Sequence, residues 1–264
     1  LNRPNFLPLT QKSKADNQLK LSGKNNKKHQ QQQQQQQQDD ASTEEETLLA
    51  NAAGAIMKCF QTATADRTPL ARSQKPEQAQ MHSYGQASVV VSRRWLLMDI
   101  ANNLFMIYFR INNLQLCKNV IKTFEESPNM PPFDEFPMSA KVTYQYYSGR
   151  IALFDSHFSI AREKLLYAYN NCIHSDYNRK LILNYLIPVQ WICGKSPSVQ
   201  LLERYGLDEF FNLNRAYRRG DLTLFQSALD EHQDYFIRKG IFLIIERART
   251  MVYRNLIIRM YVVV

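Results

Sequence analysis

From Ser92 onward, large apolar residues recur at three- and four-residue steps. Trp95, Leu96, Ile100, Leu104, Ile107 and Ile111 form the first such series. A helix completes a turn every 3.6 residues, so this spacing lines one face for a core. Ser92 is placed to cap that helix at Arg93. A weaker series, Leu48, Leu49, Ala52, Ile56 and Phe60, predicts an earlier helix over 48–60. No stretch sustains two-residue alternation, so the reading is all-α.

A weak internal repeat runs through the helical part. After a short polar turn, large apolar residues stand at relative positions 0 and 7, with a small or apolar one at 3. Leu114, Cys117 and Ile121 follow Asn112-Asn113. Phe158, Ala161 and Leu165 follow Asp155-Ser156-His157. Leu222, Phe225 and Leu229 follow Arg219-Gly220-Asp221. A slim residue lets two helices approach and a bulky one fills the next groove, as in the second helix of an antiparallel pair. The intervals are unequal, so an irregular helical stack is expected rather than a regular array.

Proline and glycine punctuate the stack. Pro131, Pro132 and Pro137 separate helical pairs, and Ser196-Pro197-Ser198 opens a short helix. Pro188 lies within the apolar run 181–192 and is expected to kink it. Arg219-Gly220-Asp221 spells an adhesion tripeptide, but a helix end followed by an aspartate N-cap explains it better.

Before the stack, composition changes. Residues 1–46 are low in complexity, with lysines up to Lys28, a glutamine run over 30–38, and Asp39, Asp40 and Glu44–Glu46. Such a segment buries too little apolar surface to offset ordering, so it is read as a disordered tail. Residues 47–91 read as an isolated helix followed by a polar linker, and 92–264 as the helical stack. The chain starts on Leu1 and closes on Tyr-Val-Val-Val, and is read as a piece of a longer protein.

Candidate chemistry is sparse. Cys59, Cys117, Cys172 and Cys193 are scattered, with no metal-ligand spacing. His29, His82, His157, His174 and His232 form no ligand set either. Eight glycines in all leave no phosphate-cradling loop. No metal, cofactor or catalytic residue is expected, and the chain reads as a non-enzyme. No apolar run reaches the ~18–20 residues of a membrane span. An intracellular, reducing compartment is the default.

Charge is more informative. The chain has 33 Lys and Arg against 24 Asp and Glu, a formal net charge of +9. From Glu209 onward nine cations face six carboxylates, with Tyr217, Tyr235, Tyr253 and Tyr261 interleaved. Cations on one face would suit phosphate contact. Solvated faces and helix-end charges explain the same balance equally well. Arg215, Arg218, Arg219, Arg254 and Arg259 are the candidate nucleic-acid residues.

Several spaced segments resemble one family. They are 103–117, Tyr146-Tyr-Ser-Gly-Arg150, 182–189, 236–246 and Tyr253-Arg-Asn-Leu256. Over about 92–264, and more faintly over 48–60, the chain resembles the PCI-domain-containing protein 2 family, also called Thp1-like or signalosome-subunit-12-like. The resemblance implies a right-handed, TPR-like stack of helical repeats capped by a winged helix, which would lie beyond this chain. It implies an adaptor in transcription-and-export complex 2, located in the nucleus at nuclear pores. The implied partners are a GANP-type scaffold, a small acidic Dss/Sem protein, nuclear pore components, RNA and DNA. The glutamine run has no counterpart in that resemblance. The alternative is a PCI scaffold subunit of a signalosome- or proteasome-lid-like complex, since fold does not settle function.

Overall fold

The computed structural model describes residues 44–68, 92–127, 130–173 and 175–263. The expected tail up to 43, most of the expected linker (69–91) and His174 lie outside the described residues. The chain divides into two units, 1–54 and 55–264. Helix α1 spans 44–64, so Glu44–Glu46, assigned to the tail from sequence, are helical. Of the expected face Phe60 is buried, but Leu48 and Ala52 are exposed. In the first unit Ala53 is buried and Leu48 is 70% exposed. In the second unit Phe60 and Ala63 are buried. Alanines mark this face, and a search for bulky residues passes over them.

The second unit is helical throughout its described residues. A 3-10 turn at Arg93–Leu96 leads into α2, Leu97–Arg110. Then come α3 (Leu114–Glu126), α4 (Met138–Phe154), α5 (Phe158–Asn171) and α6 (Asp176–Ile192). The stack continues with α7 (Val199–Arg204), α8 (Phe211–Arg219), α9 (Leu222–Glu231), α10 (Gln233–Arg238) and α11 (Phe242–Val263). Helix α4 packs on α2, α3, α5 and α6, and α11 packs on α6, α8, α9 and α10.

Ser92 caps the 3-10 turn, its hydroxyl accepting from the Arg94 amide at 3.4 Å. The tighter turn advances the register by 3.0 rather than 3.6 residues per turn. The buried face keeps the expected Trp95, Leu104 and Ile107 and adds Leu97, Met98, Ala101, Phe105 and Tyr108, while Leu96 is 49% exposed. Helix α6 continues through Pro188, which is buried within it.

The expected reversals share one geometry. Asn112, Ser156 and Gly220 have φ of 53°, 63° and 69°, each two residues before the next helix. Gly206 and Gly240 do the same before the 3-10 turn Asp208–Phe210 and α11. The next amide then bonds five residues back: Asn113 to Tyr108, His157 to Ala152, Asp221 to Ala216 and Ile241 to Phe236, at 2.8–3.1 Å. A left-handed residue at the helix end is what lets these carbonyls find donors. Asn113 and Asp221 then cap α3 and α9. The slim or apolar third position, Cys117, Ala161 or Phe225, is fully buried in each pair.

Two glycines serve close approach. A Cβ on Gly149 would lie 2.9 Å from Leu165 Cγ, which lets α4 and α5 pack tightly. A Cβ on Gly220 would lie 2.5 Å from the Leu256 backbone nitrogen on α11.

The stack has two apolar regions. The larger runs from Leu153 to Val252 and centres on Trp191, Phe210, Phe225 and Phe236. The other is aromatic: Phe124 packs on Tyr144 (ring centroids 4.9 Å apart) and Phe136 (6.1 Å). Between them sits Arg150 of α4. Its guanidinium lies 4.1 Å from the Phe109 ring of α2 and 4.3 Å from the Tyr185 ring of α6. It also donates to the Tyr146 hydroxyl at 3.4 Å. Aromatic faces attract a desolvated cation, so one side chain ties three helices.

Asp66, just after α1, closes onto the start of α2. One carboxylate oxygen accepts the Thr68 amide at 2.9 Å and hydroxyl at 2.5 Å. The other accepts the Ser92 hydroxyl at 3.1 Å and the Arg93 amide at 2.8 Å. The buried Arg94 side chain completes the clasp, donating to the Thr68 carbonyl and to Ser92 Oγ. The Thr68 hydroxyl and amide, then the Arg93 amide, hold the Asp66 carboxyl well below the usual carboxylate range.

Two outcomes are expected. Gly220→Ala forces both a left-handed alanine and an overlap with the α11 backbone, and should cost about 3 kcal/mol. Thermal unfolding should fall by roughly 6–12 °C, and an unchanged midpoint would refute the close approach. For Asp66, the folded carboxyl is depressed, so its stabilisation is present above the unfolded pKa of ~3.9 and is lost as pH falls below it. The stability gap between the parent and Asp66→Asn should be constant above about pH 5 and shrink below about pH 4. Urea titrations across pH 3–7 measure it.

Candidate nucleic-acid interface

Helix α8 follows directly on the turn Asp208–Phe210 and has two faces. Leu213, Asn214, Ala216 and Tyr217 are buried. Asn212, Arg215, Arg218 and Arg219 are exposed. Positions three and four apart share a helix face, so the three guanidinium groups emerge together.

The buried face is locked from below. Tyr217 donates its hydroxyl to the Trp191 carbonyl at 2.9 Å, and the two rings stack with centroids 5.8 Å apart. Trp191 Nε1 donates to Asn214 Oδ1 at 3.3 Å, and Asn214 Nδ2 donates to the Pro197 carbonyl at 3.2 Å. This buried chain fixes α8 against α6 and the segment before α7. A satisfied polar network in an apolar region permits few alternative arrangements.

From above, α11 closes the C-terminal end of α8. Asn255 Nδ2 donates to the Tyr217 carbonyl at 2.8 Å, and Arg259 donates to the Arg219 carbonyl at 3.1 Å. Both groups satisfy carbonyls that the helix end leaves open, and the Arg259 charge suits the negative end of the helix dipole.

The trio opens into a groove of about 460 Å³ lined by Val199, Phe211, Asn212, Asn214, Arg215, Arg218 and Arg219. Among the described residues no carboxylate lines it. Among the described residues no ion pair engages Arg215, Arg218 or Arg219. The groove therefore offers three cations, one side-chain amide at its mouth and an apolar wall. An anion with a flat or apolar appendage matches that set.

The five candidate arginines do not act as one. Arg215, Arg218 and Arg219 share the groove. Arg259 is exposed yet spends one nitrogen on α8. Arg254 lies by the α6–α8 seam, close to Gly194. Burial pushes the Tyr217 phenol up, and Asn255 and the Arg254 charge oppose that shift. Other cations of the region are engaged inside the molecule. Arg247 donates to Ser156 Oγ at 3.0 Å and covers the Phe158 ring at 4.8 Å. Arg249 lies 3.9 Å from Glu246, and Lys239 sits 5.7 Å over Tyr235. For these the helix-surface explanation holds. Sequence reasoning passed over Asn212 and Phe211, although they stand three and four residues before Arg215, one turn away on the same face.

Among the described residues no group of three or more His, Cys, Asp or Glu is placed to hold a metal. Burial pushes the Cys117 thiol up to about 12, which leaves it a packing residue. Among the described residues no helix is long and apolar enough to cross a membrane. Beyond Leu256, α11 exposes Ile257, Ile258, Met260 and Tyr261.

No family model matches the chain. Individual proteins do. It is 38% identical over 209 residues to the PCI domain-containing protein 2 homolog of Dictyostelium discoideum, covering 79% of this chain and 44% of that one. It is 39% identical over 215 residues to PCI domain-containing protein 2 of Danio rerio, covering 81% and 49%. It is 35% identical over 183 residues to a Protein CSN12 homolog of Neurospora crassa, covering 67% and 40%. The chain spans about half the length of the curated relatives it matches. Sustained identity over four-fifths of an all-helical chain is more than a shared fold requires, and the chain belongs to the PCI domain-containing protein 2 family.

Proposed function

We propose that this chain is part of a non-enzymatic PCI adaptor that couples transcription to poly(A) mRNA export. In this reading it works in the nucleus, in transcription-and-export complex 2, on a GANP-type scaffold with a small acidic Dss/Sem protein and nuclear pore components. The α8 groove supplies phosphate contacts to RNA, and also to DNA. The observation that carries the nucleic-acid part is the carboxylate-free trio Arg215, Arg218 and Arg219, held rigid by the Trp191–Asn214–Tyr217 network. Arg254 and Arg259 extend the positive surface along α11. Family membership supports the adaptor role.

A second reading is a scaffold subunit of a signalosome- or proteasome-lid-like complex. The relative named Protein CSN12 homolog favours it. Under this reading the arginine groove receives an acidic protein segment.

One experiment separates them. The tagged full-length protein and its Arg215→Glu/Arg218→Glu/Arg219→Glu variant are purified from cells, and bound proteins and RNA are identified. The export reading expects scaffold, pore proteins and mRNA with the parent. It expects RNA affinity to drop for all sequences alike in the variant. Each lost phosphate contact removes about 0.7 from the salt slope on a single strand, so the slope should fall by roughly 2. Recovery of deneddylase or lid subunits, with an unchanged slope, would overturn it.

A further inference from the structure

We propose that the α8 groove takes one unpaired nucleotide of an RNA strand, its base laid against Phe211 and its phosphates on Arg215, Arg218 and Arg219. The inference rests on the nucleic-acid reading of that groove and adds a preference for single strands over duplexes. Three arginines by themselves attract a strand, a duplex or an acidic peptide alike. The residues that begin α8 separate these ligands. Phe210 and Phe211 are adjacent and used differently. Phe210 is fully buried, its ring centroid 5.9 Å from that of Trp191 and 5.3 Å from that of Phe236. Phe211 is half-buried, packs on the larger core and lines the groove. Among the described residues no aromatic ring packs on it. Asn212 and Asn214 divide the same way. Asn214 spends its nitrogen on the Pro197 carbonyl and its oxygen on Trp191. Asn212 is exposed at the groove, and among the described residues its side chain makes no hydrogen bond.

Position sets what these groups reach. Phe211, Arg215 and Arg218 are four and three residues apart, so they run along one stripe of α8. At 1.5 Å per residue, the ring stands about 6 Å before Arg215 along the axis and roughly 10 Å before Arg218. An extended nucleotide spans a comparable length from base to phosphate. Val199, at the start of α7 and 43% exposed, supplies a second apolar wall. The carbonyls of Tyr217 and Arg219 are taken by Asn255 and Arg259, so neither stands as a bare acceptor beside a phosphate. A base presents a π-face to aromatic side chains and donors and acceptors on its edge. Phe211 and Val199 meet the face, and the Asn212 amide, both donor and acceptor, meets the edge. Every base has such a face, so the site tolerates all sequences. A duplex keeps its base faces stacked inside and offers the groove only phosphates. A run of glutamates offers charge without a ring.

The test compares binding of the full chain to a labelled mixed-sequence RNA strand and to the same strand annealed to its complement. The strand should bind at least about fivefold tighter, although charge density favours the duplex. Phe211→Leu keeps an apolar side chain on the core but removes the ring. It should weaken the strand about fivefold or more, change the duplex less than about twofold, and leave the salt slope as it was, since no phosphate contact is lost. Phe211→Tyr should restore strand binding. Light should join a strand carrying 5-iodouridine to Phe211, located by mass spectrometry. That crosslink decides the matter if Phe211→Leu loses both ligands through misfolding, and its absence from Phe211 overturns the proposal. So does displacement of the strand by oligoglutamate at equal charge, which makes the groove a site for acidic protein, or by an equal concentration of adenosine monophosphate, which makes it a site for free nucleotides. If Arg215→Glu/Arg218→Glu/Arg219→Glu weakens strand and duplex equally while Phe211→Leu changes neither, the groove holds phosphates alone and only the stacking proposal falls. If the triple variant changes neither ligand, the nucleic-acid reading of the groove falls with it.

Discussion

The stack depends on ending each helix within two residues. Five of its reversals turn one residue into the left-handed region and return the next amide to a carbonyl five positions back. A chain that reverses so sharply leaves neighbouring helices no room to diverge. Antiparallel contact follows, and with it the burial of Cys117, Ala161 and Phe225 at the slim positions. At Gly220 the constraint is sharpest, because the α11 backbone occupies the space of a side chain. That approach lets Asn255 and Arg259 reach the last carbonyls of α8. The orientation of the arginine face is thus set by a glycine that touches no ligand.

Polar groups in this stack are used to specify positions rather than to add bulk stability. Trp191, Asn214 and Tyr217 exchange two hydrogen bonds at the base of α8, and Asn214 adds a third to the Pro197 carbonyl. Tyr235 and Asn184 tie α10 to α6 at 2.9 Å, and Tyr185 adds the Lys239 carbonyl at 3.2 Å. Among the described residues no ion pair engages Arg150; its guanidinium lies over the faces of Phe109 and Tyr185. Each of these groups would lose its partners if its helix slid by one residue, whereas purely apolar surfaces tolerate such slips.

The exposed surface divides along the same lines. Cations with a nearby acceptor or ring, such as Arg247 and Lys118, are absorbed into helix-to-helix contacts; Lys118 reaches Asp155 at 2.6 Å. Among the described residues no ion pair engages the α8 trio. A net count of charge over this region merges the two kinds, and only geometry separates them.

The sequence by itself determined the class of the fold. Apolar spacing, Asn113 and Asp221 as caps, and the prolines before α4 marked most helices, because these signals act between residues a few positions apart. It also named Arg215, Arg218 and Arg219 as candidates, which the helix then places on one exposed face. It placed Phe60, Trp95, Leu104 and Ile107 in the buried faces, but set Leu48 and Leu96 beside them, which are exposed. In α1 the alanines Ala53 and Ala63 are buried with Phe60, and in α2 a 3-10 turn precedes the helix. It could not distinguish Arg259, which closes a helix end, from the arginines of the groove. The carbonyl that claims Arg259 lies 40 residues away, and so does the backbone that makes Gly220 irreplaceable, 36 positions distant. Only the tertiary structure decided these roles, because contact across such separations is set by how helices pack and not by any local preference.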